Sequence, residues 1–130
     1  MENIAEISNY SQTFEDLNVY KKAYSLSLEI HKISKEFPKD ELYALTSQIR
    51  RASKSICANI AEGYVKRGQS NKEFSRFLSI AIGSSGEMLV WSQYCYDLEF
   101  IKEETNNRWK QEYQIIIRML QKLRSSLIKP

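Results

Sequence analysis

Side chains that could do covalent chemistry are few and scattered in this chain. His31 is the only histidine in 130 residues. A Ser-His or Cys-His pair would depend on it alone, and a His-rich metal site is excluded. It follows Ile30 on the flank of an apolar stripe, where a lone histidine reads as a flank or surface residue. Cys57 and Cys95 lack C-x-x-C spacing and read as small buried hydrophobes. No G-x-S-x-G, G-x-x-x-x-G-K-[ST], G-x-G-x-x-G or H-E-x-x-H occurs. No Glu-x-x-His pair offers the di-metal chemistry that helical bundles can build. Gly83-Ser84-Ser85-Gly86 falls inside a helical stripe and makes a poor phosphate loop. Glu62 or Glu87 as a base is a minor alternative. The expectation is a binding protein with no catalytic centre, no metal and no cofactor.

The chemistry that remains is phosphate neutralisation. The net charge is only +3, yet its distribution is uneven. Residues 1–49 hold 5 basic and 8 acidic side chains, 50–76 hold 7 and 2, 77–107 hold 1 and 5, and 108–130 hold 6 and 1. Two segments therefore concentrate positive charge. Arg50, Arg51 and Lys54 fall outside the apolar stripe through Ile49 and Ala52, which predicts an outward face. Lys66, Arg67, Lys72 and Arg76 continue the run. Later come Arg108, Lys110, Arg118, Lys122, Arg124 and Lys129. Such side chains release counterions on binding a phosphate backbone, so a sequence-tolerant surface for structured RNA or DNA is expected. The competing reading is a solvated face that aids solubility. Tyr64 is the best candidate for stacking on a base.

Helices must position these charges, because the apolar spacing alternates three and four throughout. One stripe runs Val19, Ala23, Leu26, Ile30, Ile33 and Phe37, with Asp16 as N-cap and Phe37-Pro38 as its close. A second runs Leu42, Leu45, Ile49, Ala52, Ile56, Asn59 and Gly63, with Gly63 and Gly68 as stop and turn signals. Ser70-Asn71-Lys72-Glu73 reads as a capping box that opens a third helix, Phe77, Ala81, Ser84, Met88, Trp91, Cys95 and Leu98. The last stripe is Trp109, Tyr113, Ile116, Leu120, Leu123 and Leu127. Short connections predict an all-α, antiparallel, up-down-up-down four-helix bundle over residues 15–130, after a flexible extension at 1–14. A signal sequence or membrane span is not evident, so a cytoplasmic location is expected.

The third helix carries a second seam, Leu78, Ile82, Ser85, Leu89, Ser92 and Tyr96. With Tyr24 and Leu28 on the outer side of the first helix, it predicts a homo-oligomer whose copies pack there through Leu78, Ile82, Leu89, Tyr96, Tyr24 and Leu28. The small residues around Gly83 and Gly86 predict a close helix approach, and Asn59 and Glu87 predict register-fixing hydrogen bonds with Gln48 or Arg51.

These residues also resemble a known family. Asp16-Leu17, Val19-Tyr20, Lys22-Ala23, Phe37-Pro38 and the run from Leu45 to Ala52 are similar to the four-helix-bundle family encoded in intervening sequences of bacterial large-subunit ribosomal RNA genes. Ser55-Ile56-Cys57-Ala58-Asn59-Ile60-Ala61-Glu62-Gly63-Tyr64 is the most specific portion. Phe77-Leu78, Ile80-Ala81, Gly83-Ser84 and Glu87 extend it. Tyr20 stands where the family favours tryptophan, and Cys57 where proline is frequent. The resemblance implies a homo-oligomer, often a pentameric ring. It also implies kinship with the accessory variability determinant of diversity-generating retroelements, which partners a reverse transcriptase and its template RNA. The combined expectation is an oligomeric nucleic-acid-binding bundle. A protein-interaction scaffold with no nucleic-acid role is the alternative.

Overall fold

A computed structural model describes residues 13–127. They form four α-helices and, among the described residues, no strand: α1 (Asn18–Ser34), α2 (Leu45–Lys66), α3 (Asn71–Asp97) and α4 (Glu103–Leu127), with 3-10 turns at Phe14–Asp16 and Lys39–Glu41. Residues 1–12 of the expected extension, and Lys129, lie outside the described residues. No helix among the described residues is long and apolar enough to cross a membrane.

The four apolar stripes supply the core except at Leu42, which precedes α2, and Leu98, which follows α3; these two are 43% and 48% exposed. Ile30, Ile49, Ile56, Ile60, Phe74, Met88, Trp109, Tyr113, Ile116 and Leu120 are fully enclosed. Each such side chain contributes roughly 1.5–3 kcal/mol by leaving water. Helix α3 packs along both α2 and α4, while α1 packs on α2 and more lightly on α4. Side-chain bonds pin each contact. The Ser55 and Ser84 hydroxyls meet at 3.0 Å between α2 and α3. Buried Ser92 donates to Asn106 Oδ1 at 2.7 Å between α3 and α4. Arg50 Nε donates to Ser34 Oγ at 2.8 Å between α1 and α2.

Several local expectations are corrected. Asp16 does not cap α1; Thr13 Oγ1 accepts from Glu15 N–H and Asp16 Oδ2 from Thr13 N–H, so both cap the preceding 3-10 turn. Only half of the expected box forms at α3: Ser70 Oγ accepts from the Lys72 and Glu73 N–H groups, while the Glu73 carboxylate turns to Arg76. Gly63 is not a stop signal, because α2 continues to Lys66. A Cβ there would stand 2.8 Å from Phe77 Cβ and 2.9 Å from Phe74 Cδ1, so this glycine lets α2 and α3 touch. Gly83 and Gly86 were expected to serve that purpose, yet a Cβ on either meets nothing within 4 Å. Asn59 donates to Ser55 O and Oγ within its own helix, and Glu87 is exposed.

The second seam of α3 is also reassigned. Leu78, Ser85 and Ser92 are fully buried inside the single chain, and Ile82 and Leu89 are partly buried against its core. Leu78 therefore cannot face another copy. The reason is geometric: a helix flanked by two neighbours needs two apolar seams. Tyr96 is half-buried, its hydroxyl donating to Glu103 Oε2 at 3.3 Å. Of the proposed interface residues only Tyr24 and Leu28 stay largely exposed, at 48% and 53%. The apolar surface that α3 leaves uncovered is a third line, Ile80, Val90 and Tyr94, passing over Gly83.

Candidate nucleic-acid interface

The ten basic residues singled out above do not form one patch. Five gather where α2 ends, α3 begins and α4 ends. Asn71 Nδ2 donates to Leu127 O at 3.4 Å, and Arg124 Nε donates to Ser75 Oγ at 3.1 Å, which brings the end of α4 to the start of α3. Lys66, Arg67, Lys72, Arg76 and Arg124 thus lie around this end with Glu62 and Glu73, and Arg118 and Lys122 stand further back on α4.

Aromatic rings anchor part of the cluster. Lys66 Nζ and the Arg76 guanidinium flank the Phe77 ring at 4.9 and 4.5 Å from its centroid. Each also pairs with a carboxylate on its own helix: Lys66 with Glu62 at 3.3 Å, and Arg76 with both oxygens of Glu73 at 3.1 and 3.3 Å. The Arg76 hydrogen bonds hold the Glu73 carboxyl below its ordinary value. Arg67 lies 3.7 Å over the Tyr64 ring and donates to Tyr64 O at 2.9 Å. Tyr64 is only 2% exposed and meets Phe74 edge-on, so it is not available to stack on a base. Lys72, Arg118 and Lys122 are exposed, and no carboxylate pairs with them among the described residues.

The other three lie elsewhere. Arg50 is half-buried rather than outward, because Ser34 draws it toward α1. Lys54 Nζ approaches His31 Nδ1 at 3.1 Å on the same α1–α2 face. Arg51 is exposed and lines a polar groove with Gln48, Ser55, Ser84 and Glu87 between α2 and α3. Arg108 leaves the basic surface altogether. It forms a two-pronged pair with Glu29, whose Oε2 also accepts from Trp109 Nε1 at 2.7 Å. Burial opposes ionisation of Glu29, but the Arg108 and Trp109 hydrogen bonds outweigh it and hold the carboxyl below its usual value. No sequence signal marked this α1–α4 tie, whose partners stand 79 and 80 residues apart. Lys110 is similarly engaged, donating to Gln93 Oε1 at 2.5 Å.

Nucleophile chemistry finds little support in the buried thiols. Burial pushes Cys57 up to about 11 and Cys95 up to about 12, so both stay protonated at neutral pH. No group of three or more His, Cys, Asp or Glu side chains converges on a possible metal position among the described residues.

A helical bundle with a basic end is the class these features define. The chain belongs to the 23S rRNA-intervening sequence protein family, which it matches over residues 15–122. It is also similar to a crystal structure, at 1.70 Å resolution, of a protein with unknown function from the S23 ribosomal protein family of Bacteroides thetaiotaomicron VPI-5482. That similarity has a TM-score of 0.70 at 25% identity and covers 78% of this chain and 94% of the other. Comparison with curated proteins gives no match.

Proposed function

We propose that this protein is a non-catalytic cytoplasmic subunit that binds structured RNA, or an RNA/DNA duplex, through its basic end. The observation that carries the reading is the concentration of seven cations against two carboxylates in residues 62–76 and 118–124, segments that the Arg124–Ser75 bond brings side by side. Helix stability accounts for some of them. Lys66 and Arg67 at the end of α2, and Arg124 in the last turn of α4, complement the negative helix termini. It does not account for Lys72 in the first turn of α3, nor for Arg118 and Lys122 further back on α4. Those side chains suit a polyanion.

In this reading the helices run up-down-up-down, which is supported by bonded residues falling in opposite order: Ser34 with Arg50 and His31 with Lys54 between α1 and α2, and Ser92 with Asn106 and Ser75 with Arg124 between α3 and α4. Copies close into a ring, a pentamer being favoured, through the outer line of α3 at Ile80, Val90 and Tyr94. The support is that Gly83 and Gly86 each cost roughly 1 kcal/mol in a helix interior, while a Cβ at either would meet nothing within 4 Å among the described residues. A ring would repeat the basic end and add phosphate contacts by avidity. A reverse transcriptase with its template RNA is the partner pair to try first. The same exposed apolar line favours a second reading, a protein-interaction scaffold.

Purification separates the two. Protein isolated without nuclease at low salt is expected to carry RNA, seen in its ultraviolet absorbance ratio, and to shift a hairpin RNA on a gel. Nucleic-acid-free protein that leaves the hairpin unshifted contradicts the first reading. Light scattering tests the ring, and a monomer at micromolar concentration contradicts it.

A further inference from the structure

The groove between the end of α1 and the start of α2 has a chemistry separate from that of the basic end. It encloses about 190 Å³ and is lined by Ser34, Lys35, Lys39, Thr46 and Arg50, over an apolar floor that includes Phe37. Its charged lining residues are all cations. Glu41, the nearest carboxylate in sequence to Thr46, stands at the start of α2, its Oε1 accepting from Leu45 N–H at 3.3 Å.

Two observations point to a ligand. First, Arg50 is held in place through Nε by Ser34 Oγ at 2.8 Å, and Ser34 is itself fixed by donating to His31 O at 2.9 Å. The remaining guanidinium N–H groups have no acceptor among the described residues. Second, Thr46 is 2% exposed and its Oγ1 has no hydrogen-bond partner among the described residues. Folded proteins rarely leave such a hydroxyl unsatisfied, and those that do commonly use it.

We propose that this groove binds a phosphate group, held by Arg50, Lys35 and Lys39 and by a hydrogen bond donated from the Thr46 hydroxyl. The phosphate is either free orthophosphate or a backbone phosphate of a bound strand. The site does not depend on the basic end being a nucleic-acid surface.

His31 reports on it. As the only histidine it gives one imidazole signal. Partial burial and the charges of Lys54 and Arg50 from α2 and Lys35 from its own helix hold it below its ordinary value, with no carboxylate among these influences. A bound phosphate would offset those cations and raise the imidazole pKa. The experiment is an NMR pH titration of His31 in the full chain with orthophosphate, with a short single-stranded oligonucleotide, and with sodium chloride at matched ionic strength.

A saturable rise with orthophosphate supports the free ligand, and a rise with the oligonucleotide alone supports the backbone phosphate. Removing a charge-assisted donor should weaken the response about tenfold in Arg50→Gln, and loss of the hydroxyl about fivefold in Thr46→Val. Lys39→Ala, on an exposed side chain, provides a third variant should either of those fail to fold. If both phosphate forms move His31 no further than sodium chloride does, or if the folded variants respond as the parent does, the proposal is overturned.

Discussion

The two ends of the bundle carry opposite charge, and only part of that contrast serves the helices. Around the α2–α3 connection, residues 62–76 and 118–124 hold seven basic and two acidic side chains. At the far end, residues 35–44 and 97–104 hold seven acidic and three basic ones, brought together where Phe37 and Phe100 pack at 5.3 Å. Glu103 and Glu104 in the first turn of α4 complement its dipole, as Lys66 and Arg124 do at their own helix ends. Helix α3 runs the other way. Its first turn holds Lys72 beside the favourable Glu73, and Asp97 ends it with Glu99 just beyond, both unfavourable to its C-terminus.

Loss of the tight α2–α3 contact should break the comparison most severely. Gly63→Ala places a methyl group 2.8 Å from Phe77 Cβ, beneath the ring that Lys66 and Arg76 flank. We expect destabilisation of about 1–3 kcal/mol by chemical denaturation, from overpacking. Gly83→Ala and Gly86→Ala serve as contrast. They should stabilise the isolated chain by roughly 0.5–1 kcal/mol and impair any assembly through that face.

Next in size is the tie that belongs to neither end. Glu29→Gln should lower stability by about 0.5–1.5 kcal/mol, discounted because the carboxylate is a third exposed. Its folded pKa lies below the ordinary 4.5, so its contribution is present above that value and is lost as the pH falls through the folded pKa. Acid denaturation curves of the parent and Glu29→Gln should therefore converge once the pH has fallen below the folded pKa of Glu29.

The smallest effect sharpens the contrast. Asp97→Asn with Glu99→Gln removes two charges that oppose the α3 dipole. Thermal melting should show a gain of roughly 0.3–1 kcal/mol, with RNA affinity no weaker than the parent's. A marked loss of RNA affinity would mean that the far end also takes part in binding.

Much of this architecture was legible in residue spacing. Every position of the α4 stripe from Trp109 to Leu127 is buried, and the α1 stripe holds from Val19 to Ile30. Periodicity reports which face is apolar but not how many neighbours share it. That is why Leu78 reads as an external seam and is internal. A glycine likewise reads as a stop or as an approach, and only the opposing Phe74 and Phe77 decide which. The basic residues were legible as charges. Their division between the basic end and the Arg50–Lys54–His31 face depends on helix rotation and long-range partners such as Ser34. Tyr64 was unreadable as a core residue for the same reason, since Arg67 covers it from the next turn.

Lys72, Arg118 and Lys122 are expected to meet phosphates. The direct measurement is the affinity for a labelled hairpin RNA by fluorescence anisotropy across a series of salt concentrations, for the parent and for the variant with all three changed to glutamate. The account predicts that log K falls linearly with log salt for the parent, and that the slope shrinks by about 2–3 in the variant while its melting temperature is retained. A parent that binds no RNA at low salt, or a variant with an unchanged slope, would contradict it.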